Sequence, residues 1–344
     1  MKKNKSNDVL SNFEKQNLRT RIIKSANQAK RAKRNGRILM AAASIVLLIG
    51  ASLFFRPKTE QSIENFVETS TEVDINKVDG VTLILGSGDN FNLEGKNTTV
   101  QYSNTGEEVE LGSGKTVNQE SIKDNKALYN TILVPFGKRT NLKLSDGSMV
   151  WLNSGSKLVY PAVFNGNTRE VYLEGEGIFE VSHNPQKPFK VLSSNQEVEV
   201  LGTVFNVSSY KDDDLSFTVL KSGSVKINYS DEKIAGIKIK PGTFASYNAV
   251  LKEATTKTVD INDYFSWRDG FLNFKKDSLK HIMTKLSRYY NVQIIIENED
   301  LASQTFSGNL DLKENVSKVI GLIGETSNFE FSSENGKITI INSN

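Results

Sequence analysis

The chain has 344 residues, of which 43 are Lys or Arg, 40 are Asp or Glu, two are His and none is Cys. The lack of Cys excludes disulfides and thiol catalysis, and two histidines, His183 and His281, leave almost no room for a His/Cys zinc site. The net charge of +3 hides an asymmetry: Met1 to Arg37 holds twelve Lys/Arg against Asp8 and Glu14, so the remainder is net negative.

In chain order, the basic arm of residues 1–37 carries Leu10, Phe13, Leu18, Ile22, Ala26 and Ala29 at roughly helical spacing. A weakly amphipathic helix is expected there, with Leu10, Phe13, Leu18 and Ile22 as the candidate partner-binding residues. From Ile38 to Phe55 no residue is charged. As a helix this run rises ~27 Å, close to the ~30 Å hydrocarbon thickness of a bilayer, so it predicts one membrane span. Positive charge stays on the cytoplasmic side, which puts the arm inside and residues 56–344 outside. Arg56 and Pro57 follow the span directly, where a cleaved signal peptide needs small residues. The cluster Lys30, Arg31, Lys33, Arg34 and Arg37 abuts the span, so it reads as a topology signal touching anionic lipid rather than as a nucleic-acid site.

Residues 56–76 are polar and read as a linker. Residues 77–256 read as an all-β region. Short alternating runs recur, Asp146-Gly147 supplies a hairpin turn between Leu142/Leu144 and Val150/Leu152, and no helical period intervenes. The segments Leu85-Gly86-Ser87-Gly88 and Leu111-Gly112-Ser113-Gly114 read as hairpin turns, because no helix pattern follows to make a phosphate loop. A second linker is expected over 257–268. The period then changes: 269–344 reads as two β-α-β units, with Leu279, Ile282, Met283, Leu286 and Tyr290 on one helix face and Val316, Val319, Ile320 and Ile323 on another. Asp277 or Ser278 and Asn315 are placed to cap these helices.

Catalytic readings are weak. Glu174, Glu176 and Glu180 alternate along a strand and read as solvent-facing rather than as a glycosidase pair. Asp212-Asp213-Asp214 reads as a solvated loop, and His183 has no nucleophile implied beside it. No cofactor and no metal is implied.

Several ordered motifs carry a resemblance. Val134-Pro135-Phe136-Gly137-Lys138-Arg139-Thr140-Asn141-Leu142, Leu144 to Ser148, Val150 to Ser156, Tyr160-Pro161, Arg169 to Glu176, Lys187-Pro188-Phe189, Val200 to Val207 and Ser266-Trp267-Arg268-Asp269-Gly270 resemble the FecR family of transmembrane anti-sigma factors. The FecR domain falls at about 131–227, and residues 269–344 look like the terminal module, similar to secretin and TonB short N-terminal domains, that many such proteins carry.

The resemblance implies an inner-membrane relay, with the N-terminus in the cytoplasm and the C-terminus in the periplasm. The signalling domain of a TonB-dependent outer-membrane transporter is the outer partner, met by edge-to-edge strand pairing, and an extracytoplasmic-function sigma factor is the inner one. The competing reading is a membrane-anchored envelope- or glycan-binding protein. Some relatives cleave themselves at a Gly-Thr bond matching Gly202-Thr203, where a Thr hydroxyl attacks the preceding carbonyl; the plainer alternative is a glycine at a strand bulge beside a packing Thr. Family arms of roughly 80 residues often carry a Trp, whereas this arm has 37 residues and none.

Overall fold

A computed structural model describes residues 13–28, 30–31, 62–70, 73, 75–95, 97–112, 114–120, 122–123, 126–327, 329–334 and 336–343. Leu10 and the predicted span Ile38–Phe55 lie outside these residues. Among the described residues no helix is long and apolar enough to cross a membrane. The chain divides into two units, 1–60 and 61–344. In the first, residues 13–28 form a helix, α1.

The second unit opens with α2 (Ile63–Thr69), inside the stretch expected to be a linker. Ser62 caps it by accepting from the Asn65 amide at 3.2 Å. Ile63 is buried with Val159 and Leu192, which seats the helix on the β region.

The β region comprises β1 (Val81–Ile84), β2 (Asn90–Leu93), β3 (Asn97–Tyr102), β4 (Glu108–Leu111), β5 (Lys115–Asn118), β6 (Ile122–Lys123), β7 (Lys126–Ala127), β8 (Tyr129–Val134), β9 (Arg139–Lys143) and β10 (Met149–Leu152). It continues with β11 (Ser156–Pro161), β12 (Arg169–Glu180), β13 (Phe189–Leu192), β14 (Gln196–Val200), β15 (Val204–Ser209), β16 (Leu215–Ser222), β17 (Val225–Tyr229), β18 (Ile237–Ile239), β19 (Thr243–Asn248) and β20 (Glu253–Thr258). Pairing gives two large sheets and the separate β6-β7 hairpin. Sheet A runs β2-β1-β8-β11-β12-β13-β14-β17-β18. Sheet B runs β5-β4-β3-β9-β10-β12-β15-β16-β19-β20.

The long strand β12 belongs to both sheets. Its first half pairs in sheet A and its second half in sheet B, and the change falls at Gly175. There φ is +102°, and a Cβ would stand 2.7 Å from the Ser156 Cα, so only glycine lets the strand cross. One core cluster draws Val81, Leu83 and Val191 from sheet A and Val100, Leu152 and Val207 from sheet B, which makes the region a sandwich. The Asp146-Gly147 turn forms as expected: Leu144 and Ser148 pair at 2.9 Å, and the Asp146 carboxylate accepts the Ser148 amide.

The second expected linker is folded from residue 262 onward. Helix α3 (Asn262–Phe265) and a 3-10 turn (Ser266–Asp269) bury Phe265 and Trp267 against Ile178, Phe217, Val219 and Phe244 on the outer face of sheet B.

The terminal module contains β21 (Phe271–Ser278), α4 (Leu279–Tyr290), β22 (Gln293–Ile296), α5 (Glu299–Ser303), β23 (Thr305–Asp311), α6 (Val316–Gly324), β24 (Phe329–Glu334) and β25 (Lys337–Asn342). The two β-α-β units interleave: their first strands pair as β21-β23, and their last strands form the sheet β22-β25-β24. Ser278 and Asn315 cap α4 and α6, so of the two candidates for α4 the hydroxyl wins; the α5 turn is absent from the sequence reading. The expected apolar faces pack together, with Leu279, Ile282, Met283, Leu286, Val319, Ile320 and Ile323 buried in one core.

Candidate functional sites in the arm, the Leu201–Thr203 turn and the interdomain clasp

Helix α1 presents large apolar side chains to solvent: Phe13 is 75%, Leu18 51% and Ile22 57% exposed, and Ile23 is exposed as well. At ~100° per residue, Leu18 and Ile22 share one face with Ala26, whereas Phe13 lies ~140° around the helix from Leu18. The stripe is therefore centred on Leu18 and Ile22, a narrower surface than the sequence reading drew.

Gly202 and Thr203 occupy the turn between β14 and β15. The Val181 amide donates to the Thr203 carbonyl at 3.0 Å, and the Asn184 amide to the Leu201 carbonyl at 2.7 Å. A Cβ on Gly202 would lie 2.6 Å from both the Cα and Nδ1 of His183, so glycine is required here by close approach. Thr203 is buried, and its hydroxyl donates to the Ser224 carbonyl at 3.1 Å. The strand register shifts just beyond this pair, at Val204/Phe205.

The third site was not legible from the sequence. Where the β region meets the terminal module, Arg288 at the end of α4 donates to both oxygens of Asp213, at 2.8 and 2.7 Å, and reaches Asp212 at 2.8 Å. Its guanidinium lies 3.9 Å from the Tyr210 ring centroid. Burial disfavours the Arg288 cation, but its hydrogen bonds to Asp213 and Asp212 outweigh that and hold its pKa above the ordinary range. Burial pushes the Tyr210 hydroxyl up as well, so it stays neutral and donates to the Ser154 carbonyl at 2.9 Å.

Motif residues complete this clasp. The Gly137 amide donates to the Arg288 carbonyl at 2.9 Å. Arg139 donates to the Trp267 carbonyl at 2.7 Å and stacks on Tyr289, and Arg268 stacks on Trp151. Asn206 donates to Glu176 at 2.9 Å and to the Tyr264 carbonyl at 2.6 Å, while Asn153 binds the other Glu176 oxygen at 2.8 Å. Thus Glu176 is a structural acceptor and Asp213 an ion-pair partner, which corrects the solvated readings at those two positions, while Glu180, Asp212 and Asp214 are exposed as expected. Glu174 is also engaged, 3.1 Å from Lys211.

A cavity of about 460 Å³ opens at this junction, walled by Glu176, Tyr210, Tyr264, Trp267 and Arg288. Among the described residues no three His, Asp or Glu converge as metal ligands.

The fold and this junction define a β-sandwich clasped to an interleaved β-α-β module. Residues 130–226 match the family described as FecR protein, and residues 271–340 the one described as FecR, C-terminal. These segments carry the two FecR-family domains in series. Two crystal structures of a candidate anti-sigma factor from Parabacteroides distasonis, at 1.65 and 2.50 Å resolution, are similar to it at 26% identity and a TM-score of 0.59. They cover 62% and 63% of this chain and 99% and 100% of their own. No curated protein matches.

Proposed function

We propose that the chain is an inner-membrane sigma regulator that relays the state of a TonB-dependent outer-membrane transporter to an extracytoplasmic-function sigma factor. The observation that carries the reading is the combination of a FecR domain with an exposed apolar stripe, Leu18 and Ile22, on a helix of the basic arm. The solved relative described as a candidate anti-sigma factor supports it. In this reading Ile38–Phe55 crosses the membrane, α1 binds the sigma factor, and the terminal module meets the transporter's signalling domain.

The sheet β22-β25-β24 has two free edges among the described residues, β22 and β24, and either accepts a strand from a like module by main-chain pairing. Self-cleavage at Gly202-Thr203 belongs to the same proposal. What favours it is the His183 imidazole packed against Gly202.

Two experiments test the reading. A tag on Met1 retrieves the protein from native membranes, and a sigma factor is expected to co-purify with wild type and to vanish with Leu18→Ser/Ile22→Ser. An intact membrane protein that retrieves none moves the function toward envelope or glycan binding. Because the chain has no Cys, single cysteines at Lys5 and Ser343 report topology cleanly. A membrane-impermeant maleimide is expected to label only the second in cells with a permeabilised outer membrane; labelling of the first overturns the topology.

A further inference from the structure

On the β-sandwich, away from the clasp, a cavity of about 310 Å³ is lined by Ser145, Asp146, Arg169, Ser182, His183 and Lys187. That volume lies at the low end of the roughly 300–1,000 Å³ typical of small-molecule sites. Arg169 at the start of β12 is 2% exposed. It donates from Nε to the Lys187 carbonyl at 2.8 Å, and from Nη1 to Asp146 at 2.7 Å and to the Ser182 carbonyl at 2.9 Å. Its Nη2 has no partner, nor has the Oγ of Ser145, although both atoms are shielded from bulk water. Two buried groups left unsatisfied on residues that line one cavity are costly unless a ligand meets them.

The charges point the same way. The Asp146 carboxylate accepts the Ser148 amide and hydroxyl as well as Arg169. It neutralises one cation, and Lys187 remains. Lys187 gives one of its three protons to the Phe164 carbonyl at 2.6 Å. Burial, and then the neighbouring Arg169 guanidinium, pull the Lys187 ammonium below its ordinary range, a tension that a negative ligand relieves.

From this geometry we infer that the cavity is a binding site for a small oxyanion, a sulfate or phosphate group or the carboxylate of an acidic sugar, held by Arg169, Lys187 and Ser145. The wall segment is also the brace of the Leu201–Thr203 turn: Asn184 binds the Leu201 carbonyl, and His183 packs on Gly202. Occupancy is therefore felt at that turn.

The chain supplies its own reporter, since His183 and His281 are its only histidines. His183 lines the cavity, whereas His281 sits in the terminal module beside Asp277. The full chain in detergent micelles, with ring-labelled histidine, is titrated by NMR with sodium sulfate, sodium phosphate and sodium glucuronate. Sodium chloride at matched ionic strength is the control, and His281→Gln assigns the signals.

The His183 signal is expected to move saturably while His281 stays fixed. Lys187→Gln and Ser145→Ala are each expected to weaken the apparent affinity, the former by about tenfold or more, as befits a charged hydrogen bond. Saturation by sulfate and phosphate alone identifies a tetrahedral anion, by glucuronate alone a carboxylate, and by all three a general oxyanion site. Absence of saturable His183 movement overturns the inference, as does unchanged affinity in the folded variants. Should one variant fail to fold, the other carries the comparison.

Discussion

Replacing Arg288 by Met keeps most of the aliphatic stem but removes the guanidinium that stacks on Tyr210 and pairs with Asp212 and Asp213. Breaking a buried ion pair from one side typically costs about 3–5 kcal/mol, because the remaining charge is stranded. Here the figure belongs at the low end, about 3 kcal/mol. Asp212 is 68% exposed and rehydrates freely, whereas Asp213 is 24% exposed and does so only in part.

The assay is built into the chain, whose two tryptophans, Trp151 and Trp267, both pack at this junction. Urea unfolding of the full chain in micelles, followed by tryptophan fluorescence, is expected to show a junction transition at markedly lower denaturant in Arg288→Met. Combined with Asp213→Asn, the double-mutant cycle should give a coupling of about 2 kcal/mol. Lys318→Met removes an exposed helical pair with Glu314 and serves as the control, with an effect within about 0.5 kcal/mol. If Arg288→Met shifts the transition no more than this control, the clasp is not what joins the two parts.

Other outcomes follow from the same reasoning. Burial alone would raise the pKa of Asp277, but hydrogen bonds from His281 and Lys285 outweigh it and lower it to about 2. A depressed carboxylate contributes stability above its unfolded pKa and loses it as pH falls through the folded value. The terminal module should therefore lose on the order of 2 kcal/mol between about pH 4 and pH 2, and Asp277→Asn should flatten that limb in acid unfolding followed by circular dichroism. Gly202→Ala forces a Cβ against His183 and should destabilise the β region by about 1–3 kcal/mol in thermal melts, with no such effect from Gly166→Ala, whose Cβ would meet nothing closer than 3.9 Å. If the Gly202-Thr203 bond cleaves itself, immunoblots of Thr203→Ser should keep the C-terminal fragment and those of Thr203→Ala should lose it; the same fragment from Thr203→Ala would assign the cut to a protease.

Much of this fold could be read from residue order. Alternation located most strands of the sandwich, though not β2, β5 or β20, and the change of period after Val259 located the terminal module, because each pattern reflects one face turned to a core. The two expected linkers show where local pattern stops being informative. Ile63 and Trp267 sit in polar surroundings in the sequence, and they are buried by surfaces contributed from residues 159–192 and 178–244.

The clasp was invisible for the same reason. Asp213 and Arg288 are 75 residues apart, Arg288 lies off the apolar face that identified α4, and three consecutive acids read as solvated until a cation is placed between them. The one local hint was the motif pair Gly137/Arg139 and Trp267/Arg268, whose residues turn out to bind the terminal module to the sandwich. In the arm the helix was legible. Its face was drawn too wide, since Phe13 does not share the Leu18 and Ile22 side.

The central claim is that this arm controls a sigma factor, and transcription reads it most directly. Messenger RNA is compared among cells with the wild-type chain, cells lacking it, and cells carrying Leu18→Ser/Ile22→Ser at equal protein level. The account predicts that one coherent set of genes, sharing a promoter element, shifts in both altered strains and returns on complementation with wild type. An unchanged profile in the double variant, with the protein intact in the membrane, would contradict it.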